Sequence, residues 1–224
     1  MKIINADITP LRLEDSVIIA WLRGLLTVAY ADGHFDPEEQ ELIASLTQDE
    51  LMPHTELGEL EPISAHQLAE ALGNDLKVKE NFLRTAVMMA IANGVYSQAE
   101  ADTVHQFQKA LGLDIEALKS LESTLWNSQQ PTSPSDESNI NVLQPMKKWL
   151  DGMDIDDPRV ARFLCKMIPP QCPFERDIKL FGKKIVHIPP MCKLNPLYEQ
   201  LVGLRFRSLC FLADKCEEDV SKYM

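Results

Sequence analysis

One pattern occurs twice, and it restricts the fold more than anything else in the chain. Ala29-Tyr-Ala-Asp-Gly-His-Phe-Asp-Pro-Glu-Glu39 recurs as Ala90-Ile-Ala-Asn-Gly-Val-Tyr-Ser-Gln-Ala-Glu100. Upstream, Trp21-Leu-Arg23 is echoed by Phe82-Leu-Arg84. Such self-similarity marks one supersecondary unit used twice. Asp32-Gly33 and Asn93-Gly94 suit helix stops, because glycine accepts the left-handed conformation past a helix C-terminus. Asp36-x-x-Glu39 and Ser97-x-x-Glu100 read as capping boxes, with Pro37 at a first helical position. Each copy therefore specifies a helix, a tight turn and a capped helix.

The remaining apolar spacing fits this unit. Val17, Ile18, Trp21, Leu22, Leu25 and Leu26 recur at helical intervals and predict a helix from Asp15 to Tyr30. Further helices are expected over Asp36–Leu51, from near Ser64, and over Asp75–Ala92, Ser97–Leu111 and Asp114–Trp126. No segment here alternates with period two, so the first part reads as a helical bundle with short turns.

A polar stretch follows, Gln129-Gln-Pro-Thr-Ser-Pro-Ser-Asp-Glu-Ser-Asn139. It holds two prolines and no apolar residue, the composition of an exposed tether. The charge balance changes there as well. Residues 1–130 carry 8 Lys+Arg against 21 Asp+Glu, and residues 131–224 carry 14 against 13. The expected organisation is a helical domain over 1–128, a linker over 129–142 and a second domain over 143–224. An acidic first half would repel phosphates, which argues against nucleic acid and is compatible with cations or a basic protein surface.

In the second half, helices are expected over Asn141–Met153 and Asp157–Ile168, the latter capped by Asp157 with Pro158 at its first position. Asp177–Ile188 reads as two short strands about Phe181-Gly182-Lys183-Lys184. A last helix is expected after Asn195-Pro196, running to about Asp214. The fold class is thus mainly α, with a small C-terminal α+β portion containing one hairpin.

Two sets of side chains could carry chemistry. Asp32, Asp36, Glu38 and Glu39 fall within one turn, and hard cations favour clustered carboxylates. Asn93 and Glu100 occupy the matching places in the second copy. Helix capping accounts for the same residues without a metal, and both readings stand at this point. The second set is the cysteines, all after residue 164: Cys165, Cys172, Cys192, Cys210 and Cys216. Cys172 and Cys192 follow identical Ile-Pro-Pro-x steps, and a hairpin turning at Gly182 brings both to one open end. With Cys165, and with His187 or Cys216, they could bind zinc or an iron–sulfur cluster. No Cys-x-x-Cys spacing is present, and free cysteine also packs as a small hydrophobe. Cys210, set among apolar residues, is expected in the core. Cys192 with His187 would be the pair for a thiol enzyme.

Phosphate-loop, dinucleotide-binding, nucleophile-elbow and His-Glu-x-x-His motifs are absent from the sequence. The start, MKIINADITPLRLED, lacks a basic region followed by an apolar run, and no apolar run is long enough to span a bilayer. These features read as a cytoplasmic chain with reduced thiols. Lys179, Lys183, Lys184, Lys193, Arg205 and Arg207 give the second half a basic side. That side is a solvated face, or one that docks the acidic half, a protein or an anionic membrane surface.

The paired Ala-x-Ala-[Asp/Asn]-Gly turns, each followed by a glutamate on the next helix, resemble the TerB-like family over residues 14–127. That family is associated with tellurite resistance and supplies a domain of some membrane-anchored DnaJ-type co-chaperones. The resemblance implies an all-helical bundle with no established enzymatic activity and a cation site at Asp32, Asp36 and Glu39, with Asn93 and Glu100 as its second half. Gln171-Cys-Pro-Phe-Glu-Arg-Asp-Ile-Lys-Leu-Phe-Gly182, His187-Ile-Pro-Pro-Met-Cys-Lys-Leu-Asn-Pro-Leu-Tyr198 and Leu204-Arg-Phe-Arg207 resemble a second family over residues 143–224. This is the Mo-dependent nitrogenase C-terminal family, which implies a cyanobacterial origin. Nothing in the chain resembles the part of nitrogenase that carries the molybdenum cofactor. The expectation is a non-enzymatic, metal-responsive or partner-binding scaffold that uses a divalent cation or a protein at the acidic turn. The alternative is a zinc or iron–sulfur protein serving nitrogenase or its electron supply through the cysteines.

Overall fold

A computed structural model of the chain describes residues 13–31, 61–91, 96–125, 143–168, 176–180, 183–188 and 197–224. Residues 122–125 and the two strands are described by their backbone alone. The architecture is mainly helical. Among the described residues, five helices precede the 129–142 stretch: α1 (Asp15–Ala29), α2 (Ala65–Leu72), α3 (Leu76–Ala90), α4 (Gln98–Ala110) and α5 (Glu116–Leu125). After it come α6 (Gln144–Asp151), α7 (Pro158–Met167), strands β1 (Arg176–Leu180) and β2 (Lys183–Ile188), α8 (Tyr198–Cys216) and a 3-10 turn at Ser221–Tyr223. The expected helix over Asp36–Leu51 lies outside the described residues.

The helix starts follow local chemistry. Ser64 and Ser97 each accept a hydrogen bond from the backbone three residues on, and Gln67 and Glu100 return it to the cap amide. The Asp75 side chain takes the Lys77 and Val78 amides at the start of α3. The Asp157 side chain takes the Arg159 amide, with Pro158 in the first turn of α7. Gly73 and Gly112, at φ +65° and +69°, end α2 and α4 in a conformation a β-carbon resists. The last helix departs from expectation. Its N-cap is Leu197, which makes no side-chain cap, and it runs on to Cys216. Glu217 then turns left-handed at φ 53°, and the Glu218 amide reaches back to the Leu212 carbonyl.

The backbone of β1 pairs antiparallel with β2, Arg176 opposite Ile188 and Leu180 opposite Lys183. The register shifts between Ile178 and Lys179.

α1 packs on α2, α3 and α4, while α5 meets α6 and α8 meets α7 and α6. One continuous apolar cluster runs through all of them. It includes Ile18, Leu25, Leu83 and Phe107 from the helical half, and Met146, Leu150, Phe163 and Leu204 from beyond the 129–142 stretch. Phe82 sits at its centre with no exposed surface. Its ring meets Trp21 edge-on at 5.7 Å and Phe107 at 5.5 Å between centroids, geometries that suit the aromatic quadrupole. Trp21 and Phe82 are equivalent positions in the sequence repeat, so the two copies touch through their matching aromatics.

Gly24 makes that contact feasible. A β-carbon at Gly24 would lie 2.7 Å from two Phe82 ring atoms and 3.2 Å from Leu68 Cδ1. Gly203, in the middle of α8, has nothing within 4 Å of the same position. The two glycines therefore predict opposite outcomes for one substitution. Gly203→Ala should gain up to about 1 kcal/mol from helix propensity. Gly24→Ala should lose about 1–2 kcal/mol once overpacking outweighs that gain. Urea unfolding of the two variants checks both signs.

Candidate functional site at the joint of the two halves

The most elaborate polar construction lies where the helical half meets the C-terminal segment. It starts at the cap of α7. Asp157 is buried, at 3% exposure, and its Oδ2 accepts the Leu13 amide at 2.8 Å while Oδ1 accepts the Arg159 amide at 2.8 Å. The buried Arg159 guanidinium donates to Asp157 Oδ2 at 3.0 Å, to Asp15 Oδ1 at 2.7 Å and to the Leu13 carbonyl. Burial works against the Arg159 charge, but Asp157 and Asp15 outweigh it and keep the guanidinium firmly ionised. A local helix cap is thereby wired to the start of α1.

One face of α3 holds the adjoining loop. Asn81 Nδ2 donates to the Asp154 carbonyl at 2.9 Å. The Lys77 ammonium sits 2.6 Å from Asp156 and 3.2 Å from Asp154. A hydrogen bond from Lys77 to Asp156 raises the lysine's pKa against a smaller opposing effect of burial, and Asp154 helps. One turn further, Arg84 Nε donates to the Trp149 carbonyl at 2.9 Å and Nη1 to Asn81 Oδ1 at 3.0 Å. The guanidinium also lies 5.3 Å from the Trp149 ring centre, a cation–π distance. Arg23, the repeat equivalent of Arg84, likewise points Nε at a connecting segment and donates to the Glu61 carbonyl at 2.8 Å. A cleft of about 420 Å³, counted out to its open mouth, lies beneath the loop. Trp21, Val78, Met153 and Val160 form its apolar walls, and Lys77, Asp154 and Asp156 stand at its edge. The charged groups at the joint are engaged with one another, so the chemistry of this place is fastening.

None of the sequence-derived candidates is among the residues described at this joint. Asp32, Asp36, Glu38, Glu39 and Asn93 lie outside the described residues. Glu100 is buried, and its Oε2 accepts the Ser97 amide at 2.8 Å in the capping box. Cys172, Cys192 and the His187 side chain lie outside the described residues. Cys165 is buried with Ala161, Leu212 and Tyr223, and Cys216 packs at the edge of that cluster. Burial pushes the Cys216 thiol up, and Glu218 and Asp157 add to this against Arg162. That holds the group protonated at neutral pH, the wrong state for a nucleophile. Cys210, expected in the core, is only half-buried. Among the described residues no group of three His, Cys, Asp or Glu side chains is placed to hold a metal ion. Nor is any described helix long and apolar enough to cross a membrane.

A second clasp closes the C-terminal segment. Glu218 accepts from Arg162 at 2.8 Å and pairs with Lys222 at 3.0 Å, while Arg205 donates to the carbonyl of the buried Tyr223. All of these groups lie within the stretch that the comparison with known families identifies.

Residues 142–224 match the family model described as Mo-dependent nitrogenase C-terminus. The matched stretch comprises α6, α7, the two strands, α8, one side of the first clasp and the whole of the second. The match does not extend to residues 1–141, and the comparison gives no support there to the TerB-like resemblance. No curated protein matches the chain, and no solved structure does.

Sequence reasoning found the Asp157 cap but not its long-range role. Asn81 and Arg84, polar residues inside an apolar helix, were the available signal for the joint.

Two predictions follow from the geometry. Asp157→Ala leaves Arg159 buried with a weakened set of partners and should cost about 3 kcal/mol. Lys77→Ala removes a half-exposed pair and should cost less than about 1 kcal/mol. Chemical denaturation distinguishes the two. The second concerns pH. Burial opposes the charge on Glu218, but hydrogen bonds and charges from Lys222 and Arg162 outweigh it and hold the carboxyl below its ordinary value of 4.5. A depressed carboxylate stabilises the fold above its unfolded pKa, and that contribution is lost as pH falls through the folded pKa. The wild-type melting temperature should therefore fall more steeply below about pH 4.5 than that of Glu218→Gln, as thermal melts across that range would show.

Proposed function

We propose that the chain is a non-enzymatic scaffold associated with nitrogenase or its electron supply. In this reading the acidic turn at Asp32, Asp36, Glu38 and Glu39 takes a divalent cation or a protein partner, and the nitrogenase C-terminus domain carries the association. The observation that carries the proposal is the 142–224 match, on a segment whose helices share an apolar cluster with the helical half. A partner bound by either half would then act on one packed body. The TerB-like resemblance supports the acidic turn as the binding element, with Glu100 committed to its cap. The proposal places the protein in the cytoplasm.

A second reading is favoured by the strand register. Arg176 pairs with Ile188, and Cys172 and Cys192 each lie four residues beyond those positions along the chain. Equal spacing from one strand pair suits a thiolate site for zinc or an iron–sulfur cluster.

Calorimetric titration of the full chain into each purified nitrogenase component protein tests both. The scaffold reading expects saturable binding that survives Cys172→Ala with Cys192→Ala and weakens at least about tenfold in Asp32→Ala with Asp36→Ala. The reverse pattern, with iron and sulfide or stoichiometric zinc in anaerobically purified protein, would replace the scaffold with the metal protein. Absence of binding to either component would remove the nitrogenase association.

A further inference from the structure

The outer face of α8 is apolar where a surface helix is normally polar. Val202 and Phe206 are 42% and 65% exposed. Half-buried Cys210 and exposed Ala213 continue the line at helical spacing. Gly203 lies beside Phe206 with open space above it, so another backbone can approach closely. The stripe from Val202 to Ala213 is about 16 Å long at the helical rise. The opposite side of α8 is fully used, with Leu201, Leu204, Ser208 and Leu212 buried. A helix that is apolar on both sides has a second surface to cover.

Charge selects the occupant. Glu199 stands exposed at one end of the stripe and Asp214 at the other, with Lys215 one residue further round the helix. Arg207, on the flank, is turned toward Asp151 of α6, 3.9 Å away. Pairing with a second copy in antiparallel fashion would set Glu199 beside Asp214 at both ends. Parallel pairing would set each acid beside its own copy. Both arrangements juxtapose like charges, which disfavours self-association. A partner whose apolar seam is flanked by basic residues meets attraction at both ends.

We infer that the Val202–Phe206–Cys210 face of α8 docks an amphipathic helix of another protein, one with an apolar seam bordered by lysine or arginine. The contact is a helix laid against an apolar stripe, read through side chains three and four residues apart. It goes beyond the proposed nitrogenase association and does not depend on the acidic turn.

The test uses the full chain and a fluorescein-labelled amphipathic peptide with a leucine seam flanked by lysines, read by fluorescence anisotropy. A companion peptide carries glutamates in place of the lysines. The lysine peptide should bind and the glutamate peptide should not. Phe206→Ser, an exposed change that leaves the core intact, should weaken binding at least about tenfold. Glu199→Lys with Asp214→Lys should weaken the lysine peptide and admit the glutamate peptide. Asp32→Ala with Asp36→Ala should leave peptide binding unchanged, which separates this site from the acidic turn. Binding unaffected by Phe206→Ser, or no binding, would overturn the inference. So would a chain that sediments as a dimer and is dissociated by Phe206→Ser, which would give the face to a second copy.

Discussion

A buried charge tolerates only a complete set of partners, and the Asp157–Arg159 pair draws its set from its own helix start and from the approach to α1. Asp157 caps its own helix, holds the Leu13 amide and neutralises Arg159, which in turn reaches Asp15. Removing such groups from water costs several kcal/mol each unless every lone pair and proton is met. The pair contributes less to net stability than to uniqueness. An arrangement that shifted α1 against α7 would strand an ionised group in the interior. The apolar cluster supplies most of the driving force, since hydrophobic burial is non-directional. The ion pair supplies the direction.

The sequence repeat gains a physical meaning at the same place. Trp21 and Phe82 occupy matching positions and pack against each other edge to face. Arg23 and Arg84 also match, and each secures the backbone of a connecting segment through Nε. The first copy uses its arginine on the approach to α2. The second uses it on α6, within the matched 142–224 stretch. A duplicated unit thus came to serve two purposes with one residue type, because a guanidinium presents donors in a fixed fork that suits a carbonyl.

The parts of this fold that could be read from sequence are those decided within a few residues. Ser64, Asp75, Ser97 and Asp157 announce helix starts because a cap and the amides it satisfies are chain neighbours. The apolar period of α1 was legible for the same reason. The joint was not. Asn81 meets Asp154, Arg84 meets Trp149 and Asp157 meets Leu13 across wide chain separations, and no local signal encodes such meetings. Cys210 is half-buried rather than in the core because α8 is apolar on more than one side, and composition does not say which side faces inward. The start of α8 at Leu197, past the expected Asn195-Pro196 cap, shows the same limit at a boundary. For the candidate site, Glu100 was legible as a capping residue, and the residues that fasten the halves were seen only as an arginine in a repeat and a cap on a helix.

The shared apolar cluster changes what the 129–142 stretch does. Helices on both sides of it bury their side chains together, so covalent continuity there is not what keeps them associated. In mechanical terms the joint is a riveted seam. Force applied to α8 passes through α7 and the Asp157 cap to α1 without using that stretch. A chain cut within that stretch would travel as one particle, and its two pieces would part only when the whole interior is opened.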